Sequence, residues 1–175
     1  TITSLTGYSG GGKKMIGQYE SSPKDYFLYA PRQYGLGQEH KHLPEVQHVC
    51  GLSEAPIFMP IVDDYYSGME VTVGIHSRLC HKPVCIDKVQ QTLEYFYKDS
   101  TIVTVAPFTE NSNSGMLNAN QLINTDSMKI YVTGNDERIM VHAIFDNLGK
   151  GASGAAVQCM NIALGLPEDT GLVLG

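Results

Sequence analysis

MKIYVTGNDERIMVHAIF (residues 128–145) is the stretch that decides the fold class. Two runs rich in β-branched and other apolar residues flank Gly134-Asn135-Asp136, turn chemistry that predicts a β-hairpin. Further strands are expected in IFMPIV (residues 57–62), in the alternating MEVTVGIHSRL that follows Gly68, and in TIVTVAPF from Thr101. Residues 2–5 read as a short strand leading into a glycine loop, and YFLY (residues 26–29) as a short aromatic strand. Residues 84–98 place Val84, Val89, Leu93, Phe96 and Tyr97 at amphipathic helical spacing. Residues 14–20 make one or two helical turns, stopped by Ser21, Ser22 and Pro23. A short helix is expected to open at Pro44, whose missing N–H costs nothing in the first turn. Glu45 then faces the positive end of the helix dipole and Gly51 stops the helix. His40 and His42 fall just before it. NLGKGASGAAVQCMNIALGL (residues 147–166) reads as a small-residue helix ended at Gly165, with Pro167 beyond. Strands without regular helical crossovers imply an α+β domain with a mostly antiparallel sheet and helices on one face. The other face, if apolar, needs cover that a second subunit could supply.

The 175 residues suffice for one domain with a real core, and 42% apolar against 17% charged residues indicate a globular chain. The net charge of −6 comes with no run of Lys or Arg, which argues against a nucleic-acid partner. No apolar run is long enough to span a membrane, and no signal peptide is visible. Cys50, Cys80, Cys85 and Cys159 fit neither a zinc ribbon nor a disulfide scaffold. Cys80-His81 with Cys85 raises a metal site, but ordinary thiols are the reading adopted; no metal is expected, and a reducing cytoplasmic compartment is. The chain begins at Thr1 without a methionine and reads as a processed or truncated piece.

Three constellations carry candidate chemistry. In SLTGYSGGGKKMI (residues 4–16), Gly7, Gly12 and Lys13 approach a P-loop. Lys14 stands where that loop needs a hydroxyl for magnesium, and the preceding strand is short and polar, so an NTPase is set aside. Ser9, Lys13 and the glycine amides, Gly10 among them, could cradle an anion; a mobile turn before a helix explains the same residues. His40-Lys41-His42 with Glu45 offers proton exchange near neutral pH and a carboxylate to orient the ring. A pair of surface histidines is the alternative, and zinc lacks a third ligand. In DNLGKGASGAAVQ (residues 146–158), Asp146 or Asn147 can cap a helix. Its small residues give a smooth surface for close packing or a flat cofactor, a density of glycine that needs a packing reason. His48, His76, His81 and His142 have no visible partners and are read as structural.

GYSGGGK, HKHLPEV and DNLGKGASGAAVQ, in this order, resemble the N-acetyl-γ-glutamyl-phosphate reductase family, in its short, second type. The resemblance runs from Gly7 to Gly165. It implies an α+β substrate-binding and dimerisation domain over residues 1–165, with residues 166–175 a tail. That domain is similar to the C-terminal domains of glyceraldehyde-3-phosphate and aspartate-semialdehyde dehydrogenases. The NADP-binding Rossmann domain and the nucleophilic cysteine of the family would lie upstream of Thr1, leaving this piece alone inactive. The chemistry implied is thiolate attack on an acyl phosphate, loss of phosphate, and reduction of the thioester to an aldehyde with hydride from NADPH. His40 or His42 would handle protons, oriented by Glu45. Ser9, Gly10 and Lys13 would hold the substrate phosphate or carboxylate, and Asn147 with Gly151 would approach the nicotinamide. The implied partners are the acyl phosphate or semialdehyde, phosphate, the domain's own N-terminal half and a homo-oligomer, dimer or tetramer. A relative acting in lysine biosynthesis and a non-catalytic oligomerisation module are the alternatives.

Overall fold

The computed structural model describes residues 1–108 and 115–175. The hairpin of residues 128–145 forms, as two neighbouring strands towards one edge of a seven-stranded sheet. Strands β6 (Met128–Gly134) and β7 (Arg138–Phe145) pair antiparallel from Met128↔Phe145 to Gly134↔Ile139. Gly134 turns the chain with φ +105°, where a Cβ would collide with the Arg138 carbonyl. Asn135 closes the turn by accepting the Glu137 and Arg138 N–H groups, each at 3.0 Å.

The sheet grows outward from this pair. Strand β4 (Met69–His76) lies antiparallel along all of β7, and β1 (Ile2–Gly7) lies antiparallel to β4. Beyond β1 come β3 (Phe58–Asp63), parallel to it, and a two-residue edge strand β2 (Arg32–Gln33). The far edge is β5 (Val103–Val105), parallel to β6, which gives the order β2-β3-β1-β4-β7-β6-β5. Among the described residues, four of the six pairings are antiparallel, so the expected mostly antiparallel α+β sheet is found.

Alternation sorts the two faces. On one face stand Ser4, Thr6, Val62, Met69, Val71 and Phe145, and α1 (Gly12–Tyr19) covers part of it. There Tyr19, Leu28 and Val62 form a buried cluster with Tyr8 and Met15 against it. On the other face, Tyr131 and Ile144 pack with Ala106 and Leu117. That face is therefore covered, at this point, by the chain's own segment after β5. Among the described residues the remaining α-helices are α2 (His42–Val49), α3 (Ile86–Tyr97) and α4 (Gly154–Leu164).

Three local expectations are corrected. YFLY is a 3₁₀ turn, because Asp25 accepts the Phe27 N–H through its carboxylate (3.0 Å) and the Leu28 N–H through its carbonyl (3.0 Å). Helix α2 opens at His42, so His42 lies within the helix and Pro44 is its third residue; Pro44 is still tolerated because first-turn N–H groups have no partner inside the helix. The small-residue helix begins as a wide π-type turn over Gly149–Ser153, with Gly151 N–H donating to the Asp146 carbonyl at 2.8 Å.

His142 also departs from expectation by having partners. Its Nδ1 lies 2.9 Å from Glu70 Oε1 and 2.9 Å from Thr72 Oγ1, and its Nε2 lies 2.9 Å from Thr133 Oγ1. Glu70 and His142 are both buried, and this network ties β4, β7 and β6 together on the face away from Ser4.

Candidate active site

The glycine loop is a fixed structure. Gly7, Tyr8 and Ser9 donate their N–H groups to the carbonyls of Gly68 (3.0 Å), Tyr65 (2.9 Å) and Tyr66 (3.0 Å). A Cβ on Gly7 would sit 2.5 Å from the Tyr66 oxygen, so only glycine lets the loop approach this closely. The loop feeds directly into the N-terminus of α1.

Asn147 braces the loop from the end of β7. Its Oδ1 accepts the Gly68 N–H at 2.8 Å and its Nδ2 donates to Ser9 Oγ at 2.9 Å. Asp146 caps the helix beyond: its side chain accepts the N–H groups of Leu148 (3.0 Å) and Asn124 (2.8 Å). Gly149 and Gly154 owe their identity to packing, since a Cβ on either would collide with Thr125 or Asp126.

The histidine segment folds over the sheet from the other side. Leu43 is buried and seats α2. The His42 backbone N–H donates to His40 Nδ1 at 3.3 Å, so His40 performs the side-chain cap that starts the helix. The His40 ring is enclosed by Phe58, Tyr34 and His42, with ring centroids 5.1, 5.9 and 4.8 Å away. Burial, followed by the neighbouring His42 and Lys41, holds the His40 pKa below the ordinary 6.5. The accepted N–H requires an unprotonated Nδ1, in agreement with a neutral ring. His42 is exposed beside it. Burial also raises the Tyr34 pKa, so its phenol stays protonated.

These segments meet around one cavity of about 570 Å³. Its floor is the sheet face carrying Ser4, Thr6, Val62, Met69, Val71 and Phe145. Its walls hold Gly10 and Gly11 of the loop, His40, His42 and Glu45 of the second motif, and Asn147 and Gly151 of the third. Ser9 and Lys13 are not among the lining residues: Ser9 is buried beneath, bonded to Asn147, and Lys13 is exposed on α1. Glu45 lines the cavity, but among the described residues it makes no hydrogen bond to either histidine ring. Tyr34, Lys41, Ser4 and Thr6 also line the cavity and went unremarked in the sequence. The signal available was the short polar strand of residues 2–5, whose even positions face the site. Among the described residues, no group of three or more His, Cys, Asp or Glu side chains could hold a metal ion. No helix among them is long and apolar enough to cross a membrane.

Comparison with known proteins agrees with this arrangement. Residues 1–147 match the family described as semialdehyde dehydrogenase, dimerisation domain. N-acetyl-gamma-glutamyl-phosphate reductase 2 of Nostoc sp. is 38% identical over 98% of the chain and 56% of its own length. The N-acetyl-gamma-glutamyl-phosphate reductase of Brucella anthropi is 40% identical over 94% of the chain and 54% of its own length. The chain thus spans about half the length of the curated relatives it matches. Aspartate semialdehyde dehydrogenase II from Vibrio cholerae shares the fold with a TM-score of 0.65 at 17% identity, covering 93% of this chain and 54% of that one. A probable aspartate-semialdehyde dehydrogenase from Pseudomonas aeruginosa does so with a TM-score of 0.68 at 14% identity, over the same shares. With its sheet order, its glycine loop and its histidine helix in place, the chain belongs to the semialdehyde dehydrogenase family, as a dimerisation domain.

Proposed function

We propose that this chain is the substrate-binding and dimerisation half of an NADP-dependent N-acetyl-γ-glutamyl-phosphate reductase that works in the cytoplasm as a homo-oligomer. The observation that carries this reading is the convergence of Gly10, His40, His42, Glu45, Asn147 and Gly151 on one cavity from three distant segments. The nucleophilic cysteine and most of the cofactor site belong to the half of the reductase that precedes this one.

His42 is the proton-transfer residue in this proposal. A nucleophile arriving from another domain must meet an outward-facing base, and His42 is exposed where His40 is packed behind it. His40 is the positioning residue: its Nδ1 holds the His42 backbone and its ring backs the His42 ring. Being neutral, it puts no second positive charge beside a protonated His42. The start of α1 faces an anionic substrate group, as helix N-termini do, while the N–H groups of Gly7, Tyr8, Ser9 and Gly12 are taken up by backbone carbonyls. Lys13 steers anions from the surface rather than touching them in the cavity.

The residues present fit a nicotinamide at the third motif. Gly151 lines the cavity with bare backbone, a Cβ there lying only 3.2 Å from the Asp146 carbonyl and the Phe145 ring, and Asn147 keeps one Nδ2 hydrogen beyond the one given to Ser9. The cofactor, when bound, supplies or accepts the hydride; Asn147 and Gly151 shape its seat.

The test is phosphate-dependent reduction of NADP by N-acetylglutamate semialdehyde in the full-length protein. His42→Asn is expected to lose about 10²–10⁴-fold in kcat, the usual range for a proton-transfer group. His40→Asn is expected to lose less. Full activity in His42→Asn, with the fold intact, would overturn the assignment of the base.

A further inference from the structure

Ser4 is the feature of the cavity that the mechanism leaves unused. It sits mid-strand in β1, between Pro60 of β3 and Val71 of β4 in the register. Ile2, Ser4 and Thr6 all line the cavity, so this face of β1 is its floor. Ser4 is only 1% exposed, yet among the described residues its Oγ has no hydrogen-bond partner. Thr6, the next residue on the same face, gives its hydroxyl to the Gly7 carbonyl at 3.2 Å. An unpaired buried hydroxyl costs stability that an apolar residue would not, so Ser4 is kept at a loss unless something else satisfies it.

The surroundings select the chemistry. Ile2, Phe58 and Val71 are the apolar neighbours of Ser4 on the floor, and no cationic side chain stands on any of these strand positions. A carboxylate or phosphate against these strand positions would lose its water to apolar neighbours, the cavity's Lys41 standing instead on the histidine segment. A neutral amide meets no such penalty: its C=O accepts from a hydroxyl, its N–H donates to one, and a methyl group beside it packs on apolar residues. The position is also at the right end of the site. A Cβ on Gly35 would lie 3.4 Å from Pro60 Cγ and 3.8 Å from His40 Cδ2, so the strand partner of Ser4 and the histidine segment share one neighbour.

We infer that Ser4 is a specificity residue whose hydroxyl hydrogen-bonds the acetamido group of the substrate, with Ile2, Phe58 and Val71 receiving its methyl. The inference rests on the substrate reading proposed above. Two substrates of the full-length protein test it: N-acetylglutamate semialdehyde, and 5-oxopentanoate, the same carbon chain without the acetamido group. Ser4→Ala is expected to raise KM for the first about 5- to 10-fold, as loss of one hydrogen bond does, with kcat and the KM for the second unchanged. Ser4→Thr, which keeps the hydroxyl, is expected to retain the preference. The Tm of Ser4→Ala is expected not to fall, since the hydroxyl has no partner among the described residues. Equal weakening toward both substrates, or no change toward either, would overturn the inference. If the unaltered protein turned over neither substrate in the presence of phosphate and NADP, the substrate reading itself would fall, and the role of Ser4 with it.

Discussion

His40 and His42 stand two residues apart and end in different environments, because one ring caps the helix that the other begins. Capping fixes His40 Nδ1 as an acceptor, and burial disfavours its charged form. A histidine whose folded pKa is depressed contributes stability that is present above the unfolded value of 6.5 and lost as pH falls through the folded one. Urea midpoints measured at about pH 7.5 and about pH 5.5 should therefore drop more in the native chain than in His40→Gln. Equal drops would show that His40 does not contribute to the acid sensitivity. Asn147 is the second residue whose role was only half legible. The sequence offered Asp146 or Asn147 as the cap, and the family resemblance implied a cofactor neighbour; the cap is Asp146, while Asn147 gives one hydrogen bond to Ser9 of the glycine loop and accepts one from Gly68, just before β4. Those bonds join positions 138 and 79 residues apart, and no local pattern reports such a distance. Asn147→Ala should cost about 1–2 kcal/mol of stability, read from denaturant midpoints, by leaving Ser9 and Gly68 unpaired.

At the scale of elements, the readings that rested on a clear period were the ones the structure repeated. The hairpin, β4 and α3 each carry an alternation or an amphipathic stripe that one segment defines by itself. YFLY shows the opposite case: four apolar residues in a row suit a strand, and only the Asp25 side chain turns them into a 3₁₀ turn. The parallel partnership of β1 and β3 was equally hidden, because it depends on a pairing across more than fifty residues. Helix α2 hangs on Leu43, the one buried residue among its eight. Leu43→Ala should cost about 2–4 kcal/mol and loosen both histidines together, seen as a lower Tm and faster amide exchange in residues 42–49. A Tm unchanged in that variant would mean that α2 is held by something other than its apolar anchor. Gly154→Ala should be as damaging for a different reason. Its Cβ would displace Asp126, whose backbone and carboxylate hold Val173 of the C-terminal segment at 2.6 and 2.9 Å. A loss of about 1–3 kcal/mol is expected, measured by urea unfolding.

The whole molecule is a sheet with a cavity-lining face and a structural face. Ser4, Val71 and Phe145 look into the cavity, while Glu70 and Thr72, on either side of Val71, and His142, three residues before Phe145, lock the sheet from behind. Helix α4 exposes Met160, Ile162 and Leu164, and α3 exposes Tyr95 and Phe96. Apolar surface on this scale calls for cover, in keeping with a dimerisation domain and with the proposal that a second domain packs against it. Sedimentation of the full-length protein should give a dimer or a tetramer, and a monomer at micromolar concentration would contradict the oligomer. The measurement that tests the central claim most directly is made with the proposed reductase in two pieces. This chain and the half that precedes it would be produced separately, and NADP reduction by N-acetylglutamate semialdehyde followed with phosphate present. Turnover is predicted only when the two are mixed, and it should vanish when the chain added carries His42→Asn. Full turnover by the preceding half alone, or silence from a mixture of two folded halves, would contradict a substrate and proton-transfer role for this domain.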